Sequence, residues 1–146
     1  MKILEIYFSG TGNTKWVASR LADKLIAAGH RVRAESIEDL SVDDISKLLV
    51  ECQLLIVLHP AYGNDMPEIL EDYLIELNDR VNFPEEIKGL SIVVPALYSA
   101  DGARATEWFF DDAGIDFIGG YNVWIVNTLL YKFYSDILAL YSFGVI

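Results

Sequence analysis

Between a short apolar run and the first helical pattern of the chain stand Ser9-Gly10-Thr11-Gly12-Asn13-Thr14. The segment has two glycines, three hydroxyls, one amide and no charged side chain. Glycine lets backbone N–H groups turn inward with no Cβ to resist, and a helix N-terminus adds a partial positive field. The hydroxyls and Asn13 can donate to oxyanions. This is a phosphate cradle of neutral donors, better suited to one monophosphate than to a metal-bound triphosphate. A Walker loop requires G-x-x-x-x-G-K-[ST], and neither the glycine spacing nor Lys15 fits it. A dinucleotide fingerprint requires G-x-G-x-x-G; Gly10 and Gly12 fit, but Lys15 occupies the third glycine position. The structural alternative is a polar strand–helix turn capped by Thr11 or Thr14.

Such a cradle needs a strand before it, a helix after it and neighbours to complete a cleft. Strand-like and helix-like segments alternate along all 146 residues, and the whole chain reads as one domain. Ile3 to Phe8 is an apolar run of strand length. From Thr14, the residues Val17, Ala18, Leu21, Ala22 and Leu25 recur at helical spacing until Gly29. His30 to Ser36 makes a second strand, and Ser41 caps a short helix carrying Ile45, Leu48 and Leu49. Leu54 to Leu58 is continuously apolar, as in a strand buried on both faces. Pro67 starts a helix, Leu90 to Leu97 is another buried strand, and Gly102 to Ala113 a helix. Ile115 to Val126 is a fifth strand with a bulge or break at Gly119-Gly120, and Leu129 to Tyr141 a last helix. Repeated alternation with buried strands predicts an α/β fold, a parallel sheet with helices on both faces. Ligands then bind beyond the strand C-termini, in the loops 9–14, 59–66 and 97–103.

The hexapeptide S-G-T-G-N-T resembles the phosphate loop of the flavodoxin family, [ST]-x-T-G-x-T, at every specified position and directly after the first strand. Length and β-α order extend the resemblance over essentially the whole chain. It implies a doubly wound, five-stranded parallel sheet in the order 2-1-3-4-5, with noncovalent FMN at the strand C-termini. Ser9, Gly10, Thr11, Gly12, Asn13 and Thr14 would then hold the FMN phosphate. Pro60-Ala61-Tyr62-Gly63-Asn64-Asp65 looks like the family loop in which an aromatic residue precedes a glycine. There Tyr62 would meet the isoalloxazine ring, and the Gly63 peptide would flip to accept a hydrogen bond from flavin N5–H, stabilising the one-electron-reduced form. In the loop after the fourth strand, Tyr98 is the outer stacker, with Leu97, Ser99 and Asp101 near the ring edge. That loop looks shorter than its family counterpart and lacks the familiar cysteine, glycine and acidic cluster. Trp108 reads as a helix-face core residue, and Trp16 as a neighbour of the phosphate loop that does not touch flavin.

The formal charge is −11, with the first 34 residues net basic and the remainder strongly acidic. Such a field opposes broad nucleic-acid binding and favours either basic protein partners or simple solubility. Asp65, Glu68, Asp101, Asp111 and Asp112 are the acids expected to rim the site and to hold the potential of reduced FMN low. His59, without a second ligand at metal spacing, reads as structural, although its closeness to the flavin allows a redox-linked protonation. Cys52, the one cysteine, also reads as structural. No apolar run is long enough to span a membrane, and the N-terminus reads as a first strand, which together point to the cytoplasm.

An electron carrier serving redox partner proteins with basic docking surfaces fits best. A small FMN-dependent reductase and a ribonucleotide-reductase-activating protein of the same fold are the alternatives, since quinone reductases of this fold carry extra loops for which the chain has no room. A regulatory domain is a further class, but a receiver domain needs acids after the first strand, and Ser9-Gly10-Thr11 has none. The last helix is apolar on more than one face, so the chain is expected to be a monomer, or a weak dimer through that helix.

Overall fold

The computed structural model describes residues 1–62, 65–95 and 101–125. Among them the chain runs β1 (Lys2–Tyr7), α1 (Asn13–Ala27), β2 (Arg31–Ser36), α2 (Val42–Leu49), β3 (Leu54–Pro60), α3 (Glu68–Arg80) and β4 (Lys88–Val94). A 3₁₀ turn (Gly102–Arg104), α4 (Glu107–Asp112) and β5 (Asp116–Asn122) follow. The five strands form one sheet in the order β2-β1-β3-β4-β5, and every adjoining pair is parallel. This is the doubly wound architecture expected from the alternation. The winding reverses between β1 and β3, so the loops leaving those two strands diverge and open a crevice.

Local chemistry sets the element boundaries. Gly12, at φ 88°, takes the left-handed conformation at the start of α1, and Gly29, at φ 92°, takes it just past the end. Ser41 caps α2 by accepting the Asp44 amide on its hydroxyl. Pro67 stands immediately before α3 in extended geometry, one place earlier than the first helical position. Pro95 ends β4, because a residue without an N–H cannot continue the ladder. The strand therefore stops short of the expected Leu97.

Alternate residues of each strand face two cores. Ile3, Tyr7, Leu54, Ile56 and Leu58 pack with Val17, Ala18 and Leu21 of α1 on one face. Leu4, Ile6, Leu55 and Val57 pack with residues of α2, α3 and α4 on the other. Trp108 lies on this second layer edge-on to Phe109, as a core-facing helix residue should.

Two expectations change in the last third. The continuous helix over 102–113 is instead a 3₁₀ turn and a short helix. A Cβ on Gly120 would fall 1.9 Å from the Ala103 carbonyl oxygen, so this turn rests directly on the β5 backbone. The Arg104 guanidinium pairs with both carboxylate oxygens of Glu107, at 2.6 Å each, across the junction. The expected bulge falls at Gly119, where register passes from Gly89↔Phe117 to Leu90↔Gly119 and leaves Ile118 unpaired. β5 ends at Asn122, short of Val126. The expected helix over Leu129 to Tyr141, with the weak dimer placed on it, lies outside the described residues.

Candidate functional site

The loop 9–14 leaves β1 and enters α1 with its donors sorted. The Ser9 hydroxyl accepts the Lys15 amide at 3.0 Å, and the Gly12 carbonyl accepts that of Trp16 at 3.0 Å. A helix leaves its first four amides without intrahelical partners. Ser9 satisfies one of them, so the amides of Gly12, Asn13 and Thr14 are left for a ligand. The cap on this turn is thus Ser9, rather than Thr11 or Thr14. Thr14 is buried, whereas Gly10, Thr11, Gly12 and Asn13 are exposed. Trp16 is exposed, with the Arg20 guanidinium 5.8 Å from its ring centre.

The second loop leaves β3 at Pro60. His59 Nδ1 lies 3.0 Å from the Pro60 carbonyl oxygen, at the last turn of the strand. The Tyr62 amide donates to the Asp65 carbonyl at 3.0 Å, closing a small antiparallel bridge, and the Asp65 carboxylate accepts the Met66 amide at 2.8 Å. Tyr62 is about half exposed. Its hydroxyl lies 2.8 Å from where a Cβ on Gly10 would stand, so the two loops meet there.

Thr11 and Asn13 of the first loop and Pro60, Ala61 and Tyr62 of the second line one cleft of about 510 Å³. That size falls within the roughly 300–1,000 Å³ of small-molecule sites. Its floor is Val94 and Pro95 at the end of β4, and its far wall is Trp124 and Ile125, just past β5. Neither Trp124 nor Ile125 was expected from sequence. The one available signal is an aromatic just past the C-terminal end of a strand, the end at which ligands bind. Since the sheet order is β3-β4-β5, Tyr62 and Trp124 flank the cleft from opposite sides. Gly63, Asn64, Leu97, Tyr98 and Ser99 lie outside the described residues. Asp101 is exposed, and its carbonyl accepts the Arg104 amide at 2.8 Å; it is not among the cleft residues.

Asp65 and Glu68 are exposed beside the second loop. Asp111 and Asp112 are exposed in the last turn of α4, which runs antiparallel to the strands. They therefore sit at the end of the sheet opposite the cleft, and correct the expectation that they rim it.

Two fully buried ionisable side chains stand on the strands that feed the cleft. Glu5 lies mid-β1 between Ala34 and Ile56, with both carboxylate oxygens unpartnered. Burial pushes its pKa up to about 9, so it is protonated at neutral pH. The chain is then one unit less negative than its formal charge. His59 is held neutral, with its pKa lowered to about 4 by burial against the smaller opposing pulls of the Pro60 hydrogen bond and Asp65. Cys52 is buried, and its thiol donates to the Leu54 carbonyl at 3.1 Å, a structural placement as expected. No helix among the described residues is long and apolar enough to cross a membrane.

Comparison with known proteins agrees with this geometry. The family model for flavodoxin matches residues 6–118. The flavodoxin of Megasphaera elsdenii is 30% identical over 123 residues, covering 78% of this chain and 80% of the relative. A cysteine-to-serine mutant of the flavodoxin from Pseudomonas aeruginosa superposes with a TM-score of 0.74 at 17% identity, over 97% of this chain and 96% of that one. The two-electron-reduced M. elsdenii flavodoxin gives a TM-score of 0.65 at 23% identity, covering 84% of each chain. Rubredoxin oxygen:oxidoreductase of Desulfovibrio gigas gives 0.72 at 17% identity; this chain matches 30% of that larger protein with 86% of its own length. At such identities the structures speak for the fold. The family match over residues 6–118 and the Megasphaera relative establish that the chain belongs to the flavodoxin family.

Proposed function

We propose that the protein binds FMN in the cleft between residues 9–14 and 60–66 and carries single electrons between redox partner proteins. The observation that carries this reading is the joining of Thr11 and Asn13 to Tyr62 across one cleft. The donor set suits the cofactor: uncharged amides and hydroxyls at a helix N-terminus for a phosphate, then an aromatic and apolar wall for a flat ring. FMN, when bound, supplies the redox chemistry, accepting and releasing electrons one at a time.

The chain's own residues bind, orient and shield. The amides of Gly12, Asn13 and Thr14, with the hydroxyls of Thr11 and Thr14, hold the phosphate, while Ser9 braces the turn and Gly10 leaves room for Tyr62. Tyr62 and Trp124 wall the cleft, with Pro60, Ala61, Val94 and Pro95 keeping it dry. Gly63, Asn64, Leu97, Tyr98 and Ser99 belong to the proposed ring contacts, and Asp101, which does not line the cleft, to the outer edge of that loop. A formal charge of −11 supports docking on basic partners and disfavours extra negative charge on the reduced cofactor.

The test is an anaerobic reductive titration of protein with a slight excess of FMN, followed by visible absorption. A long-wavelength band that rises to half-reduction and then falls supports the one-electron carrier. Direct bleaching in a single two-electron step would favour a reductase, and unbound flavin throughout would overturn the cofactor assignment.

A further inference from the structure

We infer that His59 is a positioning residue for the cofactor loop: its Nδ1–H holds the Pro60 carbonyl and so sets the direction in which Ala61 and Tyr62 leave the sheet. A proline has only one soft backbone dihedral, because its ring locks φ. The contact from Nδ1 to the Pro60 carbonyl oxygen, at 3.0 Å, pins the other. The last residue of β3 is thereby fixed in both angles, at the point from which the cleft wall departs. Beyond it, the Tyr62–Asp65 bridge and the Asp65–Met66 contact close the loop. The inference rests on the FMN reading for its functional meaning, though the contact itself does not.

The tautomer follows from the chemistry. A carbonyl oxygen only accepts, so at this distance Nδ1 carries the proton and Nε2 is bare. Nε2 is buried without a partner. The side chain is fully buried, following Leu55 and Val57 on its own face of β3 and standing opposite Val93 of β4. An unpartnered buried acceptor costs stability, so packing gives no reason for histidine here over leucine. What histidine adds is the one hydrogen bond, and that bond goes to the cofactor loop.

The test separates the two ring nitrogens. Asparagine places its amide nitrogen where Nδ1 stands, whereas glutamine places its own near Nε2. His59→Leu, His59→Asn and His59→Gln are compared by urea unfolding, by amide hydrogen exchange at Tyr62 and Met66 in flavin-free protein, and by FMN titration. His59→Leu should keep or raise the urea midpoint, yet speed exchange at both amides and weaken FMN about tenfold, as expected for one lost hydrogen bond. His59→Asn should restore both readouts and His59→Gln neither. Wild-type protection and affinity in His59→Leu would overturn the proposal, and so would equal behaviour of the Asn and Gln variants, which still decides if His59→Leu fails to fold. If wild-type protein binds no FMN, the function proposed above fails, while amide exchange continues to judge the role of His59.

Discussion

β1 and β3 are adjacent internal strands, parallel and in register, and each carries one fully buried ionisable side chain before ending in a cleft loop. They use that group in opposite ways. Glu5 lies mid-strand with no partner, and the loop that follows owes its shape to Gly12 and the Ser9 cap. His59 lies at the strand's end, where one nitrogen holds the loop and the other is orphaned. Inside a strand, the backbone is already fixed by its ladder, so a buried polar group has only stability to change. At the junction with a loop, the ladder is ending, and the same kind of group can decide where the chain goes next.

The contrast also predicts opposite pH dependences. Glu5 has a folded pKa of about 9, above its ordinary 4.5, so the folded chain keeps a proton that the unfolded chain releases. That stability is fully present below pH 4.5 and is lost as pH rises toward 9, at up to about 1.4 kcal/mol per pH unit. Glu5→Gln abolishes the titration. Its unfolding free energy, measured in urea, should exceed that of wild type by on the order of 4 kcal/mol more at pH 8 than at pH 4. A difference that does not vary with pH would mean that Glu5 is not buried as an acid.

His59 has a folded pKa of about 4, below its ordinary 6.5. Its contribution is present above pH 6.5 and is lost as pH falls toward 4, so it opposes the Glu5 slope between pH 4.5 and 6.5. The wild-type profile should be nearly flat from these two groups over that interval, and Glu5→Gln should unmask the acid limb. Adding His59→Asn, which keeps the Pro60 donor but cannot titrate, should remove about 2 kcal/mol of the loss between pH 6.5 and 5. An acid limb that survives in the double variant would assign it to other groups and dissolve the pairing of the two strands.

The two loops were unequally legible in the sequence. The first is contiguous: six residues at one strand–helix junction carry its chemistry, and Gly12 adopts the left-handed geometry its position asked for. Tyr62 was legible for the same reason. Trp124 was not, because it reaches the cleft only through the placement of β5 beside β4, a long-range fact with no local signature. The 3₁₀ break at Gly102–Arg104 was hidden likewise, being imposed by contact with Gly120 sixteen or more residues on. Glu5 stood in plain view inside an apolar run and reads as a strand residue, but periodicity alone does not say that both its oxygens go unpaired.

The smaller effects test whether backbone geometry, rather than side-chain contact, shapes the first loop. At Gly12 an added Cβ meets nothing within 4 Å, so Gly12→Ala should cost only the left-handed strain, about 1 kcal/mol in urea unfolding. At Gly10 the situation is reversed. No positive φ constrains it, and the close neighbour is the Tyr62 hydroxyl, the free end of a half-exposed side chain. That end can swing aside, so Gly10→Ala should change stability by less than about 0.5 kcal/mol while shifting the Tyr62 ring resonances. A loss of about 1 kcal/mol or more would mean that Tyr62 is clamped onto the first loop from the β3 side. The orienting action assigned to His59 would then be shared with Gly10, and the two loops would behave as one unit instead of two.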